Sequence, residues 1–403
     1  MNIEKLCKHE ECTGCMACKQ KCNHGAISIQ QIDGFSYPII DEDKCKSCGL
    51  CSKVCPVLNA NHRKGNCHET ETKCLAAWNK DSEIRMKSSS GGIFSVFAES
   101  IINQGGVVFG AAWNESMDLQ HKGIDEADKL DALRRSKYVQ SDPLNTYNEV
   151  ANHLREGRKV LYSGTPCQIA GLTSFLGNKD YDNLLTVDVL CQGVPSPEVF
   201  KKYINEIEDE NGMKVTDVNF RTKEKGWRCG LLLLLLLRAR KGDKTSNLKR
   251  VLDNNEYYNS FLRGYFHRPS CYDCQFKCNH QGYYSDLTIA DFWKIGNKIP
   301  LKVPDYTKGI SAVIVNTEKG KHYFESCAEN MEVIERTWNE FAINGGLRSE
   351  HKPENNDEAF QYLRSHSWRE TQNKYFPLPF KRRIFIITML LFGEKCIRKF
   401  IKI

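Results

Sequence analysis

The eight cysteines between residues 12 and 55 constrain this chain more than any other feature. They run Cys12-x2-Cys15-x2-Cys18-x3-Cys22 and then Cys45-x2-Cys48-x2-Cys51-x3-Cys55-Pro56, the second run repeating the first at an offset of 33 residues. A repeat of this kind is one structural unit built twice. Three cysteines at intervals of three let one tight loop present three sulfurs to a common point, while the fourth starts a turn of helix and aims elsewhere. Zinc sites pair two shorter halves across a longer gap, so four thiols in one short run do not suit them. Disulfides belong to exported chains, and Met1 to Glu11 is polar and charged, unlike a secretory signal.

The doubled run is the ligand pattern of a two-cluster bacterial ferredoxin. Each cluster is a [4Fe–4S] cubane, and the fourth thiolate of each run serves the other cluster. On that pattern Cys12, Cys15, Cys18 and Cys55 hold one cluster, and Cys45, Cys48, Cys51 and Cys22 hold the other. Asn23 follows Cys22 where the pattern has Pro, which removes no ligand. Thiolates kept reduced for iron imply a cytoplasmic setting.

A length of 403 residues leaves room for two or three domains, and 40% hydrophobic content is enough for a buried core. The net charge of +7 is concentrated at the end, where Lys381, Arg382, Arg383, Lys395, Arg398, Lys399 and Lys402 face Glu394 alone. The basic character therefore belongs to a tail and does not indicate a nucleic-acid partner. Neither GxGxxG nor GxxxxGK[ST] occurs, so a dinucleotide fingerprint or P-loop has no support.

The composition suggests a ferredoxin module over 1–60, a polar linker over 61–75, a main domain over 76–346 and an extension over 347–403. In the module, Ala26 to Ile32 and Phe35 to Ile40 read as short strands. In the main domain, Cys74 to Trp78 reads as a first strand. Ser88-Ser89-Ser90-Gly91-Gly92 then precedes a helical pattern from Ile93 to Ile102. Serines cap helices, glycine lets a ligand approach the backbone, and free N–H groups at a helix start favour an anion. Ser136-Lys137-Tyr138 is either a solvated loop or a cationic lip over a cofactor. Lys159 to Ser163 and Leu184 to Leu190 read as buried strands, followed by Gly164-Thr165-Pro166-Cys167 and Cys191-Gln192-Gly193-Val194-Pro195 and then by helices. Apolar strands alternating with helices make a mixed, mostly parallel sheet with ligands at its carboxyl edge, where Cys167 and Cys191 fall. Cys271-x2-Cys274 could complete a four-thiolate site with them. Leu231 to Leu237 reads as a buried strand. Ile384 to Phe392, with basic flanks, reads as a helix on anionic lipid or docked on the core; nine residues cannot span a bilayer. The fold class is thus α/β, α+β overall, with a ferredoxin fold ahead of an α/β domain.

These motifs together resemble the family of beta subunits of coenzyme F420 hydrogenases and dehydrogenases, in the bacterial form with a fused N-terminal ferredoxin domain. The resemblance runs from Cys12 to about Gly346. It rests on Ser88 to Gly92, Ser136-Lys137-Tyr138, Gly164 to Cys167, Cys191 to Pro197, Cys271-x2-Cys274 and Asp286-x4-Asp291-Phe292-Trp293. Ala290 stands where the family has Gly, Arg135 where it has a small residue, and Cys278 is an additional thiol. The resemblance implies a flavin, normally FAD, and a third [4Fe–4S] cluster on Cys167, Cys191, Cys271 and Cys274. It places Ser88, Ser89, Ser90, Gly91 and Gly92 at the flavin phosphates, with Ser136, Tyr138, Gly164 and Thr165 beside the cofactor and Lys137 as the catalytic cation.

The function implied is an iron–sulfur flavoprotein oxidoreductase. It passes electrons between a small organic substrate, such as the deazaflavin coenzyme F420, and a redox partner protein such as a ferredoxin or reductase. Fused bacterial members are often similar to accessory proteins of surface-polysaccharide gene sets. Two other readings remain open at this level: a non-catalytic electron-transfer adaptor, and a thiol reductase using Cys271 and Cys274. Residues 381–403 are the candidate for peripheral membrane contact.

Overall fold

The repeat seen in the cysteine spacing is also a repeat of backbone shape. In a computed structural model, Gly14 and Met16 have positive φ (69° and 58°) on either side of Cys15, and Ser47 and Gly49 (52° and 73°) do the same around Cys48. Left-handed steps on both sides of the middle cysteine curl each loop around its sulfurs. Each loop then enters a short helix, α1 (Ala17–Lys21) or α2 (Leu50–Lys53). Between them, β1 (Ile27–Ile32) and β2 (Phe35–Ile40) pair antiparallel, with Ile32 opposite Phe35. Their two-residue turn is Asp33-Gly34, both at positive φ, which is the type I′ geometry suited to the twist of a hairpin.

The structure describes residues 6–59 and 74–380 apart from 225, 228–234, 243, 251–255, 278–281, 294, 297–302, 304 and 343, together with 384, 387 and 391. Cys67, Cys278, the first leucines of the leucine run and most of the basic tail therefore lie outside the described residues.

The main body is an eight-stranded sheet. In chain order its strands are β3 (Cys74–Asn79), β4 (Val107–Trp113), β5 (Leu119–Ile124), β6 (Val160–Gly164), β7 (Leu184–Val189), β11 (Leu287–Asp291), β12 (Ser311–Val315) and β13 (Met331–Arg336). Their spatial order is β13-β3-β12-β11-β7-β6-β4-β5. The expectation of a mostly parallel sheet needs correction. Parallel pairs are confined to the centre, β4–β6, β6–β7 and β7–β11, and both flanks are antiparallel. One cause is local: β4 reaches β5 through a few residues at Asn114 to Asp118, and so short a link permits only an antiparallel pair.

Period-two alternation divides the central strands between two cores. Val108, Leu161, Leu185 and Val187 face α4 (Ile93–Asn103), which follows the short α3 (Ser82–Lys87). Val107, Phe109, Tyr162 and Leu184 face α5 (Thr146–Arg155) and α6 (Pro166–Phe175). A third core joins α7 (Pro197–Asn211) to a small antiparallel sheet of β8 (Lys214–Asn219), β9 (Leu235–Lys241) and β10 (Lys244–Arg250), and to α8 (Glu256–Leu262). The leucine run enters β9 at Leu235. Beyond α9 (Glu318–Ser326) and α10 (Trp338–Phe341), helices α11 (Asn356–Ser365) and α12 (Trp368–Tyr375) pack into that same third core through Ala359, Leu363, Trp368 and Phe376. The segment from 347 onward is thus built into the body as far as Leu378.

The ferredoxin module is sewn to the α6 face. A Cβ on Gly171 of α6 would stand 2.9 Å from Cys15 Cβ, and one on Gly34 would stand 2.3 Å from Glu198 Cβ at the start of α7. The Gln20 side chain accepts from Tyr147 N (2.9 Å), and Lys21 Nζ donates to Phe175 O (3.1 Å). Among the described residues no helix is long and apolar enough to cross a membrane. Trp368 is 2% exposed and stacks edge-on against Tyr203 and Tyr257. Trp368→Ala is expected to destabilise the main body by roughly 3–5 kcal/mol in denaturant unfolding, whereas a truly separate extension would leave it unchanged.

Candidate redox centre

The carboxyl ends of β4, β6, β7 and β11 share one edge of the sheet, so the loops leaving them meet. After β6, Thr165 caps α6 in a capping box with Gln168, and Pro166 occupies the first turn. Both choices suit a helix start, and they set Cys167 one residue into the helix with its Sγ 3.1 Å from Thr165 Oγ1. After β7, Cys191 sits on the loop that carries Gly193 under the His267 ring, where a Cβ would come within 2.6 Å of Nδ1. A β-bridge between Pro195 and His267 and a bond from Arg268 N to Val194 O (2.9 Å) bring the 267–274 segment onto that loop. As a result Cys167, Cys191, Cys271 and Cys274, more than a hundred residues apart at the extremes, line one cavity of about 400 Å³. Burial, reinforced by neighbouring thiols, pushes Cys167, Cys191 and Cys271 up to about 12, and Cys274 also rises. Thiols in such a place ionise together only if something positive joins them.

The module repeats this arrangement. Cys12, Cys15, Cys18 and Cys55 line a cavity of about 370 Å³. Cys55 comes from the second run and the other three from the first, so the crossed grouping is present in the backbone. Cys7, not anticipated from the repeat, lines the same cavity. Its hydrogen bond holds Cys12 down, to about 6, against the opposing effect of burial. Cys22, Cys45 and Cys51 pack with Cys18, Leu6, Ile27 and Ile40, and Cys48 is exposed at the surface. Among the described residues no three His, Cys, Asp or Glu side chains converge as a single ion would require. The two sets instead surround cavities. The cavities are neighbours: Thr13 lines both, and its buried hydroxyl has no partner.

The loops expected at a flavin also meet. Ser136 N donates to Ser89 Oγ (2.8 Å). Arg221 donates to Ser89 O (3.4 Å), clamps Asp291 from both Nη atoms and lies over the Trp293 ring at 4.5 Å. Lys223 Nζ donates to the carbonyls of Arg85, Ser90 and Lys308, and burial pushes this ammonium down to about 6. Arg85 is buried, with Nε on Gly309 O (2.8 Å) and Nη2 without a partner. Three buried basic side chains thus surround the 88–92 loop, Arg221 being the one paired with the Asp291 carboxylate. The helix that follows, α4, starts from Gly92 at positive φ (84°) with no side-chain cap. That surplus suits an anion at the helix start.

Other details differ from expectation. A Cβ at Gly91 would meet Ala77 O at 2.4 Å, so the space beside this glycine is filled by protein backbone rather than kept open for a ligand. Ser88 Oγ and Ser90 Oγ donate to Ile84 O and Ile310 O. Lys137 Nζ donates to the carbonyls of Leu133, Arg134 and Arg135, which ties the loop, and burial pushes it down to about 7. The Tyr138 ring packs among Phe220, Tyr258 and Phe261. Gly164 pairs with Asp188 across β6–β7. Asp188 was missed, although it is the only charge in an otherwise apolar strand. It lines a second cavity of about 320 Å³ that shares Pro166, Cys191, Phe276 and Lys277 with the four-thiol cavity. Its Oδ1 has no partner, and burial pushes it up to about 7 while Ser285 and Thr288 hydroxyls oppose the shift.

Residues 157–339 match the family model for the C terminus of the coenzyme F420 hydrogenase/dehydrogenase beta subunit, and residues 11–59 match that of a 4Fe-4S dicluster domain. The main body thus carries the domain of coenzyme F420 hydrogenase/dehydrogenase beta subunits over 157–339, behind a 4Fe-4S dicluster module. Among curated relatives, a subunit of the F(420)H(2) dehydrogenase of Methanosarcina mazei is 24% identical over 374 residues, covering 89% of this chain and 94% of that protein. A solved structure of the F420-reducing [NiFe] hydrogenase complex from Methanosarcina barkeri aligns at TM-score 0.43 and 15% identity, over 68% of this chain and 83% of that one. The two domain matches together make the chain an oxidoreductase whose electron transfer is iron–sulfur based.

Asp188 supplies a pH test of the site. Its folded-state pKa lies above the 3.8 of a free carboxyl, so between the two values the folded protein holds a proton that the unfolded chain has released. Stability contributed this way is complete below 3.8 and is lost as pH rises through about 7. Relative to Asp188→Asn, the wild type is expected to lose about 1 kcal/mol between pH 6 and pH 8, read from anaerobic denaturation at the two pH values. A constant difference between the two proteins would show that the folded-state carboxyl does not titrate between these pH values.

Proposed function

We propose that this protein is an iron–sulfur flavoprotein that exchanges electrons between a small organic substrate of the deazaflavin class and a redox partner protein. The reading is carried by one observation: two cysteine-lined cavities stand side by side, and a third cysteine group reaches the surface at Cys48. Cys167, Cys191, Cys271 and Cys274 hold the innermost [4Fe–4S] cluster. Cys12, Cys15, Cys18 and Cys55 hold the middle one, and Cys22, Cys45, Cys48 and Cys51 the outer one, from which a partner protein is reached.

When bound, clusters carry single electrons and a flavin, FAD in this reading, supplies the two-electron exchange that an organic substrate needs. The chain's own residues do the rest. The start of α4 and the buried Arg85 receive the flavin phosphates. Lys223 holds the 88–92 loop in place through its three carbonyl bonds. Lys137 ties the 133–137 turn behind it through its three carbonyl bonds. Asp188 can hold or release a proton beside the innermost cluster. Cys271 and Cys274 share their cavity with Cys167 and Cys191, which favours ligation over a free redox dithiol.

Full-length protein purified without oxygen is expected to contain about twelve iron atoms per chain, four for each cluster, and an extractable flavin. About eight iron atoms and no flavin would sink the main-domain half of the proposal. Ligand crossing has its own test in single Cys→Ser variants followed by electron paramagnetic resonance (EPR). Cys55→Ser should remove the same signal as Cys12→Ser, and Cys22→Ser the same signal as Cys45→Ser. The opposite pairing would show that each run serves its own cluster.

A further inference from the structure

Arg268 is wholly buried, 0% exposed, at the join between the ferredoxin module and the main body. Its guanidinium donates to Cys12 O (Nε, 2.5 Å), to Gln140 Oε1 (Nη1, 2.9 Å) and to Ser36 O (Nη2, 3.1 Å). It lies over the Tyr37 ring at 4.2 Å and the Phe35 ring at 5.4 Å. These three acceptors are carbonyl oxygens, the guanidinium also reaches the Cys12 side chain, and among the described residues no carboxylate pairs with it. A guanidinium taken fully out of water without a carboxylate partner is strongly unfavourable. Its fixed charge therefore calls for fixed negative charge nearby. Arg268 is tied to both thiol sites: its Nε donates to Cys12 O on one side, and on the other its own carbonyl accepts from Cys271 N (2.9 Å) while its N–H donates to Val194 O (2.9 Å) on the Cys191 loop.

We propose that Arg268 is the shared counter-ion of two iron–sulfur sites, the middle one lined by Cys12, Cys15, Cys18 and Cys55 and the innermost one lined by Cys167, Cys191, Cys271 and Cys274. The proposal rests on the three-cluster reading above. Four thiolates around an iron–sulfur core leave each site net negative, and reduction adds one further negative charge. A cation between the two sites favours the reduced form of both, because Coulomb attraction in a dry interior is only weakly screened. Net charge and hydrogen bonding are among the factors that set cluster potentials. Raising both potentials together keeps the step between the sites nearly level while the solvent-exposed outer cluster is left alone. Arg268 is a positioning and tuning residue in this role: it touches the chain that carries the ligands and exchanges no electrons itself.

The test is an EPR-monitored redox titration of the anaerobic full-length protein. In Arg268→Gln the midpoint potentials of two clusters are expected to shift downward while the third stays in place, and Arg268→Lys should restore most of the shift. Gln140→Glu provides a second route that keeps the arginine. It sets a carboxylate against the guanidinium and should lower the same two potentials even if Arg268→Gln loses iron. Potentials that do not move in Gln140→Glu, or that move equally for all three clusters, would overturn the proposal. If wild-type protein carries two clusters only, the shared role fails together with the three-cluster reading. Three clusters with unmoved potentials would leave that reading standing and remove only the role of Arg268.

Discussion

Thiolates repel one another, and burial makes the repulsion worse; the architecture depends on how that problem is resolved. Cys167, Cys191 and Cys271 are driven toward the protonated form because they are dry and close together. A guest that carries positive metal and draws on four sulfurs at once turns that penalty into binding energy. The protein holds the sulfurs apart around a cavity instead of letting them collapse onto one point, which is the arrangement the proposed clusters need. Left-handed steps around Cys15 and Cys48 do this within the module. The capped start of α6, the loop beneath His267 and the turn after Arg268 do it in the main body.

The sheet explains why these pieces meet. Its parallel centre sends β4, β6, β7 and β11 toward one edge, so loops far apart in sequence leave from adjacent points. The antiparallel flanks bring the carboxyl end of β3, and with it the 88–92 loop, to the same edge. The module docks beside it through glycine at 171 and glycine at 34, where any side chain would force the surfaces apart. Two cavities that belong to different domains thereby share Thr13 as a common wall.

Charge is distributed in keeping with that geometry. Arg85, Arg221 and Lys223 gather behind the start of α4, Arg268 sits at the join of the module and the main body, and Asp188 lines the cavity next to the four-thiol one. Each is buried, and each is held by backbone carbonyls, aromatic faces, hydroxyls or a single carboxylate. Such groups are costly in a closed core, and their concentration along one edge marks where the fold trades stability for chemistry.

Much of this was legible from the order of residues alone. The doubled cysteine run, the Asp33-Gly34 hairpin, the helix after Gly92 and the two strand–turn–helix units through Cys167 and Cys191 are local patterns. Spacing and periodicity specify them before any long-range contact forms. Only the tertiary structure decided that Cys55 joins Cys12, that Cys7 enters the same cavity, that Gly91 faces backbone, and that the 356–378 helices belong to the body. It also revealed that Arg268 and Asp188 are buried charges beside the sulfur sites, and that the sheet is antiparallel on both flanks. The physical reason is the range of the interactions. Turns, caps and short ligand runs are determined within a few residues, but burial, cavity walls and counter-charges come from segments hundreds of residues apart, which one-dimensional patterns do not record.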